Sequence, residues 1–191
     1  MTNSEARSVK LYHYIPDPDD GFASVGLADA DHDRVLGIRR IDRPLAAEWS
    51  PPTTFRYEDD PPEDGDFPSL NDYCSIPIMS QRAWNVFLPL IGDCCEALPI
   101  DHPSGKPFYI IHVMKTIDAL DEERSELCRL SDGRVSRTYK YAFKPGLLTG
   151  QHIFKLPLMS GGELLVDDAF RRVVEDNNLK GLLLKPLPMV D

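Results

Sequence analysis

No apolar run in the chain approaches the roughly 18–20 residues needed to cross a bilayer, so no membrane-spanning segment is expected. The opening residues MTNSEARSVK lack the apolar centre of a secretory signal, which makes the cytoplasm the expected location. The spacings that carry familiar chemistries are missing as well. There is no HExxH, no GxSxG elbow, no phosphate-binding P-loop and no glycine pattern for a dinucleotide. The five histidines, His13, His32, His102, His112 and His152, include no i, i+4 pair. His112 lies in an apolar run, where a core or edge histidine bonded to backbone is expected. Four cysteines, Cys74, Cys94, Cys95 and Cys128, show no CxxC or Cys/His spacing suited to zinc. They are expected to be reduced and mostly buried. The stretch DADHD (29–33) resembles the start of a calcium loop, but Arg34 and Arg40 stand where such a loop needs glycine and a bidentate glutamate. A solvated acidic turn is the expectation there. No catalytic residue, metal or cofactor is assigned.

What the chain does have is enough apolar sequence for a core, and an uneven charge. Its 191 residues are 42% apolar, sufficient for one ordinary domain without disulfides or metal. The formal net charge is −10. Residues 1–72 hold 16 acids and 7 bases, whereas residues 73–191 hold 15 acids and 14 bases. The acidity thus belongs to the first third. Such a surface repels phosphate backbones and attracts basic proteins, so nucleic acid is not expected as a direct ligand. The excess peaks in YEDDPPEDGDF (57–67), which places Glu58, Asp59, Asp60, Glu63, Asp64 and Asp66 within nine residues. With Pro61 and Pro62 inside it, this stretch reads as a surface connection spanning about 50–68. A solvated linker, a protein-facing surface and a hard-cation site remain open for it.

The pattern elsewhere is strand-rich. SVKLYHYI (8–15) and FYIIHVM (108–114) read as strands, RVLGIRRI (34–41) as a further short one, and LPIDHPSGKP as loop. Ser80 is a plausible N-cap for a helix presenting Trp84, Phe87, Leu88 and Ile91, which Pro89 should end or kink near Leu88. RVSRTYKYAF (134–143) alternates: Val135, Tyr139, Tyr141 and Phe143 should face inward, with Arg134, Ser136, Thr138 and Lys140 outward. HIFKLPLMSGGELLV reads as two strands around a turn at Ser160-Gly161-Gly162. Asp167 should cap the helix DAFRRVVEDNN, and LKGLLLKPL should finish as a buried strand. The fold class is α+β, a mixed or mostly antiparallel sheet with a few packed helices, in one compact domain over 1–191. Between residues 124 and 144 stand six bases and two acids, and Arg134, Arg137 and Lys140 are the expected intramolecular counter-charge to the acidic connection.

The order of KLYHYIPDP, DFPSLNDYCSIPIMSQRAWNVFLPLI, FYIIHVMKTIDALDEERSE and ELLVDDAFRRVVEDNNLKGLLLKPL resembles the eleventh catalogued family of bacterial immunity proteins. The most specific features are Leu120-Asp121 through Ser125, Ile153-Phe154, and Leu179-Lys180-Gly181-Leu182. The resemblance implies a non-enzymatic protein that binds a cognate polymorphic-toxin domain encoded beside it, nuclease toxins being among the partners of such proteins. It transfers no functional residues.

Taken with the acidic charge, it makes Phe55, Tyr57, Glu58, Asp59, Asp60, Glu63, Asp64, Asp66 and Phe67 the candidate partner-binding set. The acids would steer a basic toxin, and the three aromatics, read as exposed flanks, would anchor it. Neutralising Asp59, Asp60, Glu63 and Asp64 together is expected to weaken binding at nearly constant melting temperature. A small enzyme with a site assembled from distant residues and a secretion-associated adaptor stay open. Oligomeric state is not legible.

Overall fold

The computed structural model describes residues 9–17, 21–70, 76–157 and 163–190. Eleven strands and three α-helices follow in the order β1 (Leu11–Pro16), β2 (Gly26–Leu27), α1 (His32–Gly37), β3 (Thr54–Phe55), β4 (Ile78–Ser80), α2 (Gln81–Ile91), β5 (Cys95–Pro99), β6 (Phe108–Val113), β7 (Glu126–Arg129), β8 (Val135–Lys140), β9 (Ile153–Lys155), β10 (Leu164–Asp167), α3 (Asp168–Asp176) and β11 (Leu182–Pro186). The strands form antiparallel sheets in the orders β11-β1-β10-β9, β4-β6-β5, β2-β3 and β7-β8. The architecture is α+β, as the strand-rich pattern implied.

Alternation along the central strands builds a layered interior. In β1, Tyr12 and Tyr14 enter the middle core while Leu11 enters a core on the sheet's other face. In β6, Ile111 and Val113 join the middle core while Phe108 and Ile110 join a third cluster with Val35, Ile38 and Leu98. Burial on both faces is why FYIIHV reads as an unbroken apolar run. Helices α2 and α3 close the middle core. Phe87 and Phe170 stack at 4.1 Å, with Tyr14 edge-on to Phe170 at 6.2 Å. Each such ring, fully buried, contributes about 1.5–3 kcal/mol.

Both expected caps form. Ser80 Oγ accepts from the Ala83 N–H at 3.1 Å, and Asp167 Oδ1 accepts from the Phe170 N–H at 2.9 Å. Helix α2, however, runs through Pro89 to Ile91 instead of ending near Leu88. Pro89 and Asn85 both lie on the exposed face, where water can satisfy the Asn85 carbonyl that loses its partner. Ala83, Phe87 and Ile91 form the buried stripe, and Leu88 is exposed.

Residues 34–41 form helix α1 and a 3-10 turn (Ile38–Arg40), not a strand. Val35 and Ile38, three apart, point into one core, and Ile41 packs on it. The segment expected to be loop contributes β5 before it turns. Strand β11 is the edge of its sheet and is half-buried to exposed, so the expected burial of its whole length does not occur. In β8 the expected alternation breaks. Cys128 pairs with Arg137 and Arg129 with Val135; Glu126 pairs with Lys140 and Leu127 with Thr138. Ser136 and Tyr139 are therefore the extra residues of two bulges. Val135, Thr138 and Tyr141 consequently point inward at every third position, while Tyr139 is exposed. Gly133, at φ +84°, supplies the left-handed residue of the β7–β8 turn. The turn expected at Ser160-Gly161-Gly162, like Cys74, lies outside the described residues.

Candidate partner-facing surface

The acidic connection is stitched to the body by its own carboxylates. Strand β3 pairs with β2, Gly26 opposite Phe55. Beyond it the chain turns, the Asp60 N–H bonding the Tyr57 carbonyl at 3.2 Å. Asp60 Oδ2 accepts from the Ser24 N–H at 3.1 Å and the Ser24 hydroxyl at 2.8 Å. The Ala23 N–H reaches the Glu63 carbonyl at 2.8 Å. Arg56 donates to the Pro62 carbonyl at 2.8 Å and pairs with Asp64, whose side chain is only 7% exposed. Lys106 Nζ stands 3.4 Å from the same carboxylate. His102 Nε2 lies 4.0 Å from it. Burial pulls the His102 imidazole below its ordinary value despite Asp64, so at neutral pH the ring is uncharged and stacks on Phe108 at 4.1 Å.

Asp66 is the most committed of the acids. Its carboxylate accepts from Ser80 Oγ at 2.7 Å, from Arg82 at 2.7 Å and from the Lys180 N–H at 3.0 Å. Its own N–H bonds the Lys180 carbonyl at 2.8 Å, and its carbonyl takes the Ser80 N–H at 2.9 Å. One residue thereby ties the connection to the start of α2 and the segment leading into β11.

The candidate set therefore divides. Asp60, Asp64 and Asp66 are turned into the body, because a carboxylate with two or three donors is more stable there than a bare one would be. Glu58, Asp59 and Glu63 are exposed. Phe55 and Tyr57 are exposed at 43% and 42%, and their rings meet edge-to-face at 5.2 Å. Phe67, expected as a third exposed aromatic, is 1% exposed and packs edge-on to Tyr14 and Phe87 at 6.2 Å each. The connection passes over the middle core at that point, and an aromatic ring is driven into it.

The expected counter-charge is also corrected. Arg134 pairs with Asp132 at 2.7 Å and Lys140 with Glu126 at 2.7 Å, within the β7–β8 hairpin, and Arg137 lies over the Tyr139 ring at 5.7 Å. The acids are instead met by Arg56, Arg82 and Lys106. Arg56 was within reach of a sequence argument, being embedded beside the acids. Arg82 and Lys106 gave no signal before the fold placed them.

The other sequence candidates resolve locally. His112 is buried, with Nδ1 3.0 Å from Glu96 and Nε2 2.8 Å from the Ile41 carbonyl, the backbone-bonded core histidine expected. In DADHD, Asp31 pairs with Arg34, which holds its carboxyl below the usual range, and also accepts the Thr53 N–H at 3.1 Å. Cys94, Cys95 and Cys128 are free thiols. Among the described residues no group of three or more His, Cys, Asp or Glu side chains is placed to hold a metal ion, and no helix is long and apolar enough to cross a membrane.

The layered sheets, and an acidic surface anchored from beneath, define an α+β domain that offers a fixed negative face with two aromatic rings on it. Over residues 2–187 the chain matches the model of the Imm11 immunity protein family, and it belongs to that family. No curated protein matches it in sequence.

Proposed function

We propose that the protein binds and neutralises a cognate toxin domain by direct contact, without turnover, and that Phe55, Tyr57, Glu58, Asp59 and Glu63 form part of the surface that meets it. Family membership supports the immunity role. The observation that carries the surface is the outward pair Phe55 and Tyr57 set among three outward acids on a segment pinned by Asp60, Asp64 and Asp66. Interfaces draw most of their energy from a few desolvated anchors, with aromatic residues prominent among them. A preordered surface also loses less conformational entropy on binding. The uncompensated acids suit a basic partner, which a nuclease toxin would be, because complementary charge raises association rates by roughly 10–10³-fold.

The partner expected is the toxin domain encoded by a neighbouring gene. Calorimetry with the C-terminal domain of that neighbour, at two salt concentrations, tests the reading. Tight one-to-one binding that weakens with salt supports both the inhibitor role and the acidic face. Tight binding indifferent to salt keeps the role and removes the acids from the interface. No binding to a folded neighbour overturns it.

A further inference from the structure

Two thiols stand side by side where the turn after α2 enters β5. Cys94 Sγ and Cys95 Sγ are 3.9 Å apart and share a hydrogen bond. Backbone bonds hold both residues in place. The Cys94 N–H reaches the Ile91 carbonyl at 3.1 Å, the Cys94 carbonyl takes the Met114 N–H at 2.9 Å, and Cys95 pairs with Val113 of β6. Cys95 is 4% exposed and belongs to the middle core. Cys94 is half-buried and lines a pocket of about 330 Å³ with Pro89, Leu90, Asp93, Lys115 and His152. The pocket is thus the open side of the pair.

The two sulfurs do not readily close on each other. Adjacent Cα atoms lie about 3.8 Å apart across a trans peptide, short of the roughly 4.4–6.8 Å that ordinary disulfides span. The pair is better set to share a third atom. Two sulfurs bound to one centre at a metal–thiolate length of about 2.3 Å stand at most about 4.6 Å apart, and 3.9 Å lies inside that reach. Among the described residues no group of three His, Cys, Asp or Glu side chains is gathered to complete a metal's shell. A soft centre that needs only two thiolates and brings its third ligand with it fits instead.

We propose that Cys94 and Cys95 form a chelating site for a trivalent monoorganoarsenical, R–As(OH)₂. Cys94 displaces one hydroxyl from arsenic, forming an As–S bond, and the thiol proton leaves with that hydroxyl as water. Cys95 displaces the second hydroxyl in the same way. Two As–O and two S–H bonds are exchanged for two As–S bonds and two waters, with no change of oxidation state. The shared hydrogen bond pulls the Cys94 thiol below its ordinary value, Lys115 adding to it against burial and Asp93. The same hydrogen bond, with burial, pushes Cys95 up. Cys94 therefore reacts first, through the pocket, and brings the arsenic to its buried neighbour. Pro89 and Leu90 offer apolar contact to the organic group.

The test is mass spectrometry of the whole protein after treatment with phenylarsine oxide, which hydrates to the dihydroxide, and excess 2-mercaptoethanol. One phenylarsenic group per chain is expected, stable to the monothiol and released by 2,3-dimercaptopropanol. The double variant Cys74→Ser/Cys128→Ser, which keeps only the pair, should retain it. Cys94→Ser and Cys95→Ala should each abolish it while still melting above the assay temperature. Cys94→Ser, at the half-buried position, decides alone if the core change unfolds the chain. Absence of a monothiol-resistant adduct overturns the proposal. So does an adduct that Cys94→Ser retains, or one that disappears from the double variant.

Discussion

The ring of Phe55 lies against Gly26, its partner on the neighbouring strand. A Cβ built on Gly26 would stand 2.3 Å from Phe55 Cε2, closer than any real contact allows. The missing side chain of one strand is thus the resting place of an exposed aromatic on the other. That contact seats the Phe55 ring, and Tyr57 meets it edge-to-face at 5.2 Å.

Gly26→Ala should therefore displace the Phe55 ring. The expected loss of stability is about 1–3 kcal/mol, the usual cost of overpacking, read from urea denaturation. If the aromatic pair anchors a partner, toxin affinity should fall as well. Phe55→Ala in the Gly26→Ala background should then add little to either loss, since the two changes act on one contact.

The acids separate by experiment. Exchanging Glu58, Asp59 and Glu63 for their amides should change stability by less than about 0.5 kcal/mol, because all three are exposed, while slowing toxin association at low salt. Neutralising Asp59, Asp60, Glu63 and Asp64 together should instead lower the melting temperature. Asp60 holds Ser24 at 2.8 Å and Asp64 holds Arg56, so that set mixes contact residues with fasteners. Stopped-flow association beside thermal melts distinguishes the two groups.

Asp66→Ala should be among the more damaging single changes in the connection, costing about 2–3 kcal/mol. It strands the Ser80 hydroxyl and the Lys180 N–H and releases Arg82. Asp66→Asn should cost less, since one amide oxygen still accepts. Denaturant midpoints for the two variants check the order.

Pro89→Ala should stabilise the protein by about 1–3 kcal/mol, because it restores a donor for the Asn85 carbonyl and relieves the ring clash within α2. The urea midpoint should rise at constant slope.

Asp168 sets part of the acid limit. Its hydrogen bonds to Arg171, at 3.0 Å, and to Tyr12, at 3.0 Å, hold its pKa at about 2. The folded value lies below the unfolded one, near 3.9. Its stabilisation is therefore complete above about pH 4 and is lost as pH falls toward 2. Asp168→Asn should flatten the dependence of melting temperature on pH between those limits and leave its slope above pH 5 unchanged.

How far the fold was legible follows from the range of the interactions involved. The caps at Ser80 and Asp167 are contacts across three residues, written in adjacent chemistry. The two-sided burial of β6 shows in its continuous apolar run. At 34–41 the spacing of Val35, Ile38 and Ile41 already carried the helical turn, but a short run dense in apolar residues suits strand and helix alike. At Pro89 the sequence leaves an end and a kink both open, because the damage a proline does depends on whether water reaches the carbonyl it abandons. In β8 the period of two held until pairing with β7 inserted Ser136 and Tyr139 as bulges, and no periodicity within one strand records its partner's register.

The same division runs through the candidate surface. By itself the sequence determined the family, the α+β class, the concentration of negative charge in the first third and the prolines that keep the connection out of regular structure, because these follow from composition and near-neighbour chemistry. Tertiary structure alone decided which acids face outward. Asp60 and Asp66 look identical to Asp59 along the chain, and they differ only because Ser24, Arg82 and Lys180 arrive from distant segments with donors. Phe67 differs from Phe55 because the connection crosses the middle core at one, whereas at the other the ring covers buried Gly26 and keeps its outer side in solvent. A side chain's charge and volume are local properties, whereas its solvent exposure depends on everything that packs against it.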